Sequence, residues 1–196
     1  MNNLKSICVF CGSSEGTDPI IVKEAQQLGV EFAKRNIDLI YGGSKIGIMG
    51  KIAISCIENG GKAIGIIPQF LKTKEIVHEG LDELITTQNM HERKLKMQEM
   101  SDGFITLPGG FGTFEELFEI ITWSQLGLHH KPIGILNSNG FYDHLIAMLD
   151  EMVSRGFLKP ENRALLIEDT DIEKLFNKME NFVPDYSTKL LKPENT

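Results

Sequence analysis

Four charged side chains stand where their spacing could do chemistry: Arg93 and Lys94 in "MHERKLKMQEMSD", and Glu115 and Glu116 in "PGGFGTFEELFEIITW". A glycine-rich turn that opens a helix presents unpaired N–H groups and the positive end of the helix dipole, which together favour an anion. A carboxylate close behind that turn would repel the anion unless each has its own place. Acidic residues also stabilise helix N-termini with no ligand at all. Helical spacing separates the two glutamates. Glu116 shares a face with Ile120 and Trp123, Glu115 groups with Glu119 and Thr122, and Leu117, Phe118 and Ile121 supply the core stripe. A carboxylate beside an indole and an isoleucine needs a partner. On the 90–102 segment, Met90, Arg93, Lys94, Met97, Met100 and Ser101 share one face, so two cations lie on the stripe that the methionines mark as inward. The alternative is a solvated charge run whose stems snorkel. The pairing expected is Arg93 with Glu116, while the glycine turn and Thr113 hold the anion.

Positioning these residues requires an alternation of short apolar runs and longer amphipathic ones. Strands are predicted at 6–11 ("SICVFC"), 37–43, 62–68, 82–88 (weaker), 103–108, 131–137 and 164–169. Helices are predicted at 18–35, between the second and third strands to a glycine stop near 58–61, at 90–102, from Gly112 onward, and at 141–156 and 171–182. This order implies a parallel, doubly wound α/β sheet flanked by helices, in one domain over 1–183 followed by a tail at 184–196. Ligands of such sheets bind beyond the carboxyl ends of the strands, at a switch in strand order. Three strand ends there carry unusual loops: "CGSSEGTDP", "YGGSKIGIMG" and "PGGFGTFEE". Each alone reads equally well as a tight turn. Together, with hydroxyls at Ser13, Ser14, Ser44 and Thr113, they point to a nucleotide or sugar-phosphate pocket. Neither G-x-G-x-x-G nor a P-loop is present, so a dinucleotide dehydrogenase and a P-loop NTPase are unsupported.

Composition narrows the partners. A formal net charge of −7 argues against broad phosphate neutralisation on nucleic acid. No apolar run approaches the roughly 18 residues of a membrane span, and the N-terminus lacks a signal-peptide pattern, so a cytoplasmic protein is expected. Cys8, Cys11 and Cys56 make no disulfide framework, and Cys8-x-x-Cys11 ends a strand rather than opening a helix, which disfavours redox work. The five histidines show no metal-ligand spacing.

Several motifs in order give a more specific reading. "PGGFGTFEE" resembles the P-G-G-x-G-T-x-x-E motif of the LONELY GUY (LOG) proteins, "MHERK" their M-H-x-R-K segment, "YGGSKIGIMG" their Y-G-G-G-x-x-G-L-M-G loop, and "CVFCGSS" the start of their first strand and loop. The resemblance runs from about residue 5 to 182. It implies a Rossmann-like fold and a homodimer. It further implies hydrolysis of N6-substituted adenosine 5'-monophosphates (cytokinin riboside 5'-monophosphates) to free base and ribose 5-phosphate, with no cofactor and no metal. Arg93 and Glu116 then match the catalytic pair, Lys94 a substrate-binding neighbour, and Gly110, Phe111, Gly112 and Thr113 the phosphate cradle. Gly109, Phe114, Glu115, Ser14, Gly43 and Met90 extend the implied contacts, with Glu75 and Thr122 further out. Ser44 departs from the pattern where many relatives carry a third glycine. A nucleosidase acting chiefly on AMP and a non-catalytic carrier of nucleotide or molybdenum cofactor are the alternatives. The carboxylate beside the anion site favours a hydrolase over a carrier.

Overall fold

The structure, a computed structural model, describes residues 2–72 and 77–184. Seven parallel strands form one sheet: β1 (Ser6–Phe10), β2 (Asp38–Tyr41), β3 (Ala63–Pro68), β4 (Glu83–Thr87), β5 (Gly103–Thr106), β6 (Ile133–Leu136) and β7 (Leu166–Asp169). All but β4 and β7 are nearly continuous apolar runs, as strands covered on both faces require. Their order is β4-β3-β2-β1-β5-β6-β7. The chain therefore builds outward from β1 in one direction, returns, and builds outward in the other. β1 lies between β2 and β5, with Phe10 opposite Thr106 and Cys8 opposite Phe104. Beyond β1 and β5 is the switch in strand order, where a doubly wound sheet opens a crevice.

Helices cover both faces. One layer packs α1 (Pro19–Arg35), α2 (Gly47–Glu58) and α8 (Ile172–Glu180) on Ile7, Val9, Leu39 and Ile105. The other packs α4 (Met90–Glu99), α5 (Phe111–Leu126) and α6 (Asp143–Ser154) on Cys8, Phe10, Ile40, Ile66 and Phe104. The alternating strand residues thus feed two cores, as a period of two demands. Helix starts are set locally: Asp18, Asn89 and Asp171 accept from the first-turn amides of α1, α4 and α8.

The predicted elements are all present, mostly trimmed by a residue or two. The sequence reading passed over two four-residue helices, α3 (Gln69–Lys72) and α7 (Pro160–Arg163), which are too short for a hydrophobic period. It also assigned nothing to 138–140, where a 3-10 turn (Ser138–Gly140) leads into α6. One core assignment is corrected. Phe118 is 40% exposed, because α5 meets the sheet through Leu117 and Ile120 and no element of the described residues covers its outer side. Most of the expected tail, and Glu75, lie outside the described residues.

Candidate active site

The site begins where the loops after β1 and β5 meet. The Gly12 amide donates to the Pro108 carbonyl at 3.0 Å, and the Gly12 carbonyl accepts from the Met49 amide at 3.3 Å. One residue thereby ties together the loops after β1 and β5 and the start of α2. Gly109 is required here by close approach. A Cβ on it would stand 2.1 Å from the Thr113 hydroxyl oxygen and 2.9 Å from the Gly12 amide nitrogen, both impossible contacts. Gly110 then opens α5 with no side-chain cap, in contrast to α1, α4 and α8. Its first-turn amides are free for an external anion. A cavity of about 260 Å³ lies over this turn, lined by Gly12, Ser13, Ser14, Gly109, Gly110 and Phe141 among others.

Farther along α5 is the ion pair. Arg93 Nη1 donates to Glu116 Oε1 at 3.1 Å, and Arg93 Nε donates to the Ile66 carbonyl at 3.0 Å. Both side chains are nearly buried, at 11% and 12% exposure. Burial raises the Glu116 carboxyl above the ordinary carboxylate range; the Arg93 charge opposes this, while neighbouring Glu115 adds to it. Gly110 and Glu116 are six residues apart on one helix, about 9 Å along its axis, a span on the scale of a ribose phosphate.

Lys94 takes a different position from its neighbour. Its Nζ donates to Glu115 at 2.6 Å and Glu119 at 2.9 Å, clamping α4 to α5. Burial favours its neutral form, but the two carboxylates outweigh that and raise its pKa. Cys8 and Cys11 are free and buried, and burial raises both thiols, which leaves them poor nucleophiles. Among the described residues no group of three or more His, Cys, Asp or Glu side chains is placed to hold a metal ion, and no helix is long and apolar enough to cross a membrane.

Comparison with known proteins decides what family this geometry belongs to. A family model described as "Possible lysine decarboxylase" matches residues 49–179. A probable cytokinin riboside 5'-monophosphate phosphoribohydrolase of the LOG group from Oryza sativa subsp. japonica is 44% identical over 183 residues, covering 93% of this chain and 87% of the relative. Two LOG proteins of Arabidopsis thaliana, named cytokinin riboside 5'-monophosphate phosphoribohydrolases, are 44% and 45% identical, covering 97% and 93% of this chain and 91% and 86% of their own lengths. The chain belongs to the LOG family.

Solved structures at lower identity share the LOG fold. A molybdenum cofactor binding protein from Rippkaea orientalis superposes with a TM-score of 0.66 at 24% identity, over 89% of this chain and 94% of the other. A molybdenum cofactor carrier protein from Chlamydomonas reinhardtii does so with a TM-score of 0.65 at 20% identity, over 90% and 99%. At that identity the likeness is one of architecture. The decarboxylase in the family model's description would need a lysine held neutral for a Schiff base. Lys94 is held charged by two carboxylates and does not fit that part.

The residues expected at the LOG site stand in different surroundings. Arg93 and Glu116 form the buried pair, and Ser14, Gly109 and Gly110 line the cavity. Thr113 is buried against Gly109, Phe114 packs edge-on against Tyr142 with ring centroids 5.7 Å apart, and Met90 opens α4 half-buried. Gly43 has φ +79° and accepts from the His78 amide, while Ser44, the departure from the family motif, is fully buried and accepts from the Ile46 amide. Phe111, Gly112, Glu115 and Thr122 are exposed: Phe111 at 98%, Glu115 through its pair with Lys94, and Thr122 with its hydroxyl donating to the Phe118 carbonyl. The sequence reading missed Phe141. It follows β6, and the position of that loop at the carboxyl edge was the available signal. Asn137 holds the loop by accepting from the Tyr142 amide, and Asn139 donates to Asp18 across to the start of α1.

Proposed function

We propose that this protein hydrolyses the N-glycosidic bond of adenosine 5'-monophosphates, with N6-substituted cytokinin riboside 5'-monophosphates as preferred substrates, releasing free base and ribose 5-phosphate. The observation that carries the reading is the buried Arg93–Glu116 pair, about two turns along the same helix whose uncapped start faces a cavity. The phosphate is held by the Gly110 turn and Thr113, with Ser14 across the cavity. That fixes the sugar near Glu116. Cleavage passes through an oxocarbenium-like state, positive on the ribose and increasingly negative on the departing base. Ionised Glu116 stabilises the first charge or orients the attacking water, and Arg93 keeps it ionised and aimed. Remote phosphate binding supplies energy for distorting the sugar. Glu75 and Thr122 are proposed as outer substrate contacts.

Release of ribose 5-phosphate from AMP, from N6-isopentenyl-AMP and from the matching nucleosides tests this. We expect both monophosphates to be cleaved, the isopentenyl form faster, and the nucleosides to be nearly inert. Equal turnover of adenosine and AMP would remove the phosphate cradle from the account.

We also propose a homodimer in the cytoplasm. Phe118 and Leu128 on the outer side of α5 and just past its end, with Phe111 at its start, give an apolar surface suited to a second copy. Three free cysteines fit a reducing compartment. Light scattering at working concentration should give twice the chain mass of 21.9 kDa.

A further inference from the structure

Arg93 is fixed at two points of its planar head. Nε donates to the Ile66 carbonyl within β3, and Nη1 donates to Glu116. Its remaining nitrogen, Nη2, lies against the backbone of Gly42, just after β2. A Cβ on Gly42 would stand 2.6 Å from Nη2 and 2.8 Å from Met49 Sδ. Such contacts force something to move. Met49 can turn about its own torsions. The guanidinium is rigid and held on two edges, so displacing Nη2 tilts the whole plane and breaks the bond to Ile66 or to Glu116. The backbone does not explain a glycine here, since Gly43 and Gly47 have positive φ and Gly42 is not among the residues that do.

We propose that Gly42 is a positioning residue for the reaction: its missing side chain leaves the space in which the Arg93 guanidinium lies, and so sets where Glu116 points. The inference rests on the reading of the site given above. It makes Gly42 part of the catalytic geometry without contact between that residue and the substrate.

Gly42→Ala tests it, together with Gly42→Ala/Met49→Ala, which removes the second contact. Two readouts separate positioning from a merely structural role. One is the split between kcat and KM for AMP. The other is an infrared titration of the Glu116 carboxyl in ligand-free protein, identified by its difference from Glu116→Gln. The groups facing Glu116 are Arg93, Lys94, Glu115, Cys8 and Cys11, and of these only Arg93 is in reach of a Cβ at position 42. Gly42→Ala should stay folded, lose about tenfold or more in kcat with KM changed by less than about threefold, and protonate Glu116 at higher pH than the unaltered protein. The double variant should not recover. Wild-type turnover and titration in Gly42→Ala would overturn the proposal. So would recovery in the double variant, which would make Met49 the sensitive neighbour, or failure of both variants to fold, which would make the glycine a requirement of the loop. Should the unaltered protein cleave neither nucleotide, the functional reading fails while the infrared titration still decides the role of Gly42.

Discussion

At the residue scale, two glutamates one position apart face different surroundings, and the difference is measurable. Glu116 is nearly buried against Arg93, whereas the Glu115 side chain is 55% exposed and bonds to Lys94. Glu116→Gln should keep the fold and much of the nucleotide binding while lowering turnover by about 10²-fold or more, the scale of losing a preorganised charged group. Glu115→Gln removes one of the two carboxylates that hold Lys94 and leaves Glu119 in place. It should leave kcat within about threefold of the unaltered enzyme. Steady-state rates of both variants decide whether the facing is right. The pH dependence follows from the same burial. The proposed mechanism needs the ionised carboxylate, and the Glu116 pKa is raised in the free protein, so the acid limb of kcat/KM should lie above the usual carboxylate range and disappear in Glu116→Gln. These facings were legible in the sequence, because a period of 3.6 residues puts Arg93 with the methionines and Glu116 with Ile120 and Trp123. The space that Arg93 occupies beside Gly42 was not, since contact between residues 51 positions apart leaves no local pattern.

At the element scale, the uncapped start of α5 is the proposed anion site, and its shape depends on a close backbone approach. Gly109→Ala would drive a methyl group into the Thr113 hydroxyl and the Gly12 amide. The expected result is a KM for AMP raised by about tenfold or more, with the cradle opened rather than the ion pair removed. A KM unchanged in that variant would place the phosphate elsewhere. The other end of α5 is held by His129, whose Nε2 lies 2.9 Å from the Ile120 carbonyl and whose Nδ1 accepts from the Lys131 amide. Donating through one nitrogen and accepting through the other fixes a neutral ring. The element boundaries were readable from caps and glycines, as at Asp18 and Gly156. Phe118 was misread because periodicity distinguishes a helix's apolar stripe but not how much of it a single sheet can cover.

At the scale of the whole molecule, His129 couples that helix end to stability. Burial pushes its pKa from 6.5 down to about 4. Its contribution is therefore fully present above pH 6.5 and is lost as the pH falls from 6.5 toward 4, in total about 3 kcal/mol. Urea midpoints should fall over that interval more steeply than in His129→Gln, and parallel slopes would refute the assignment. The alternation of strands and helices was legible throughout. The strand order was not, because an apolar run looks the same wherever it pairs; only the crossover from β4 through α4 back to β5 beside β1 creates the crevice. The three-way tie at Gly12 has a kinetic meaning as well. The crevice walls are joined by backbone bonds in the free chain, so a nucleotide bound as proposed would meet these loops already formed. Binding of AMP should then be a single step whose observed rate rises linearly with nucleotide concentration, with no plateau set by a slower change of shape.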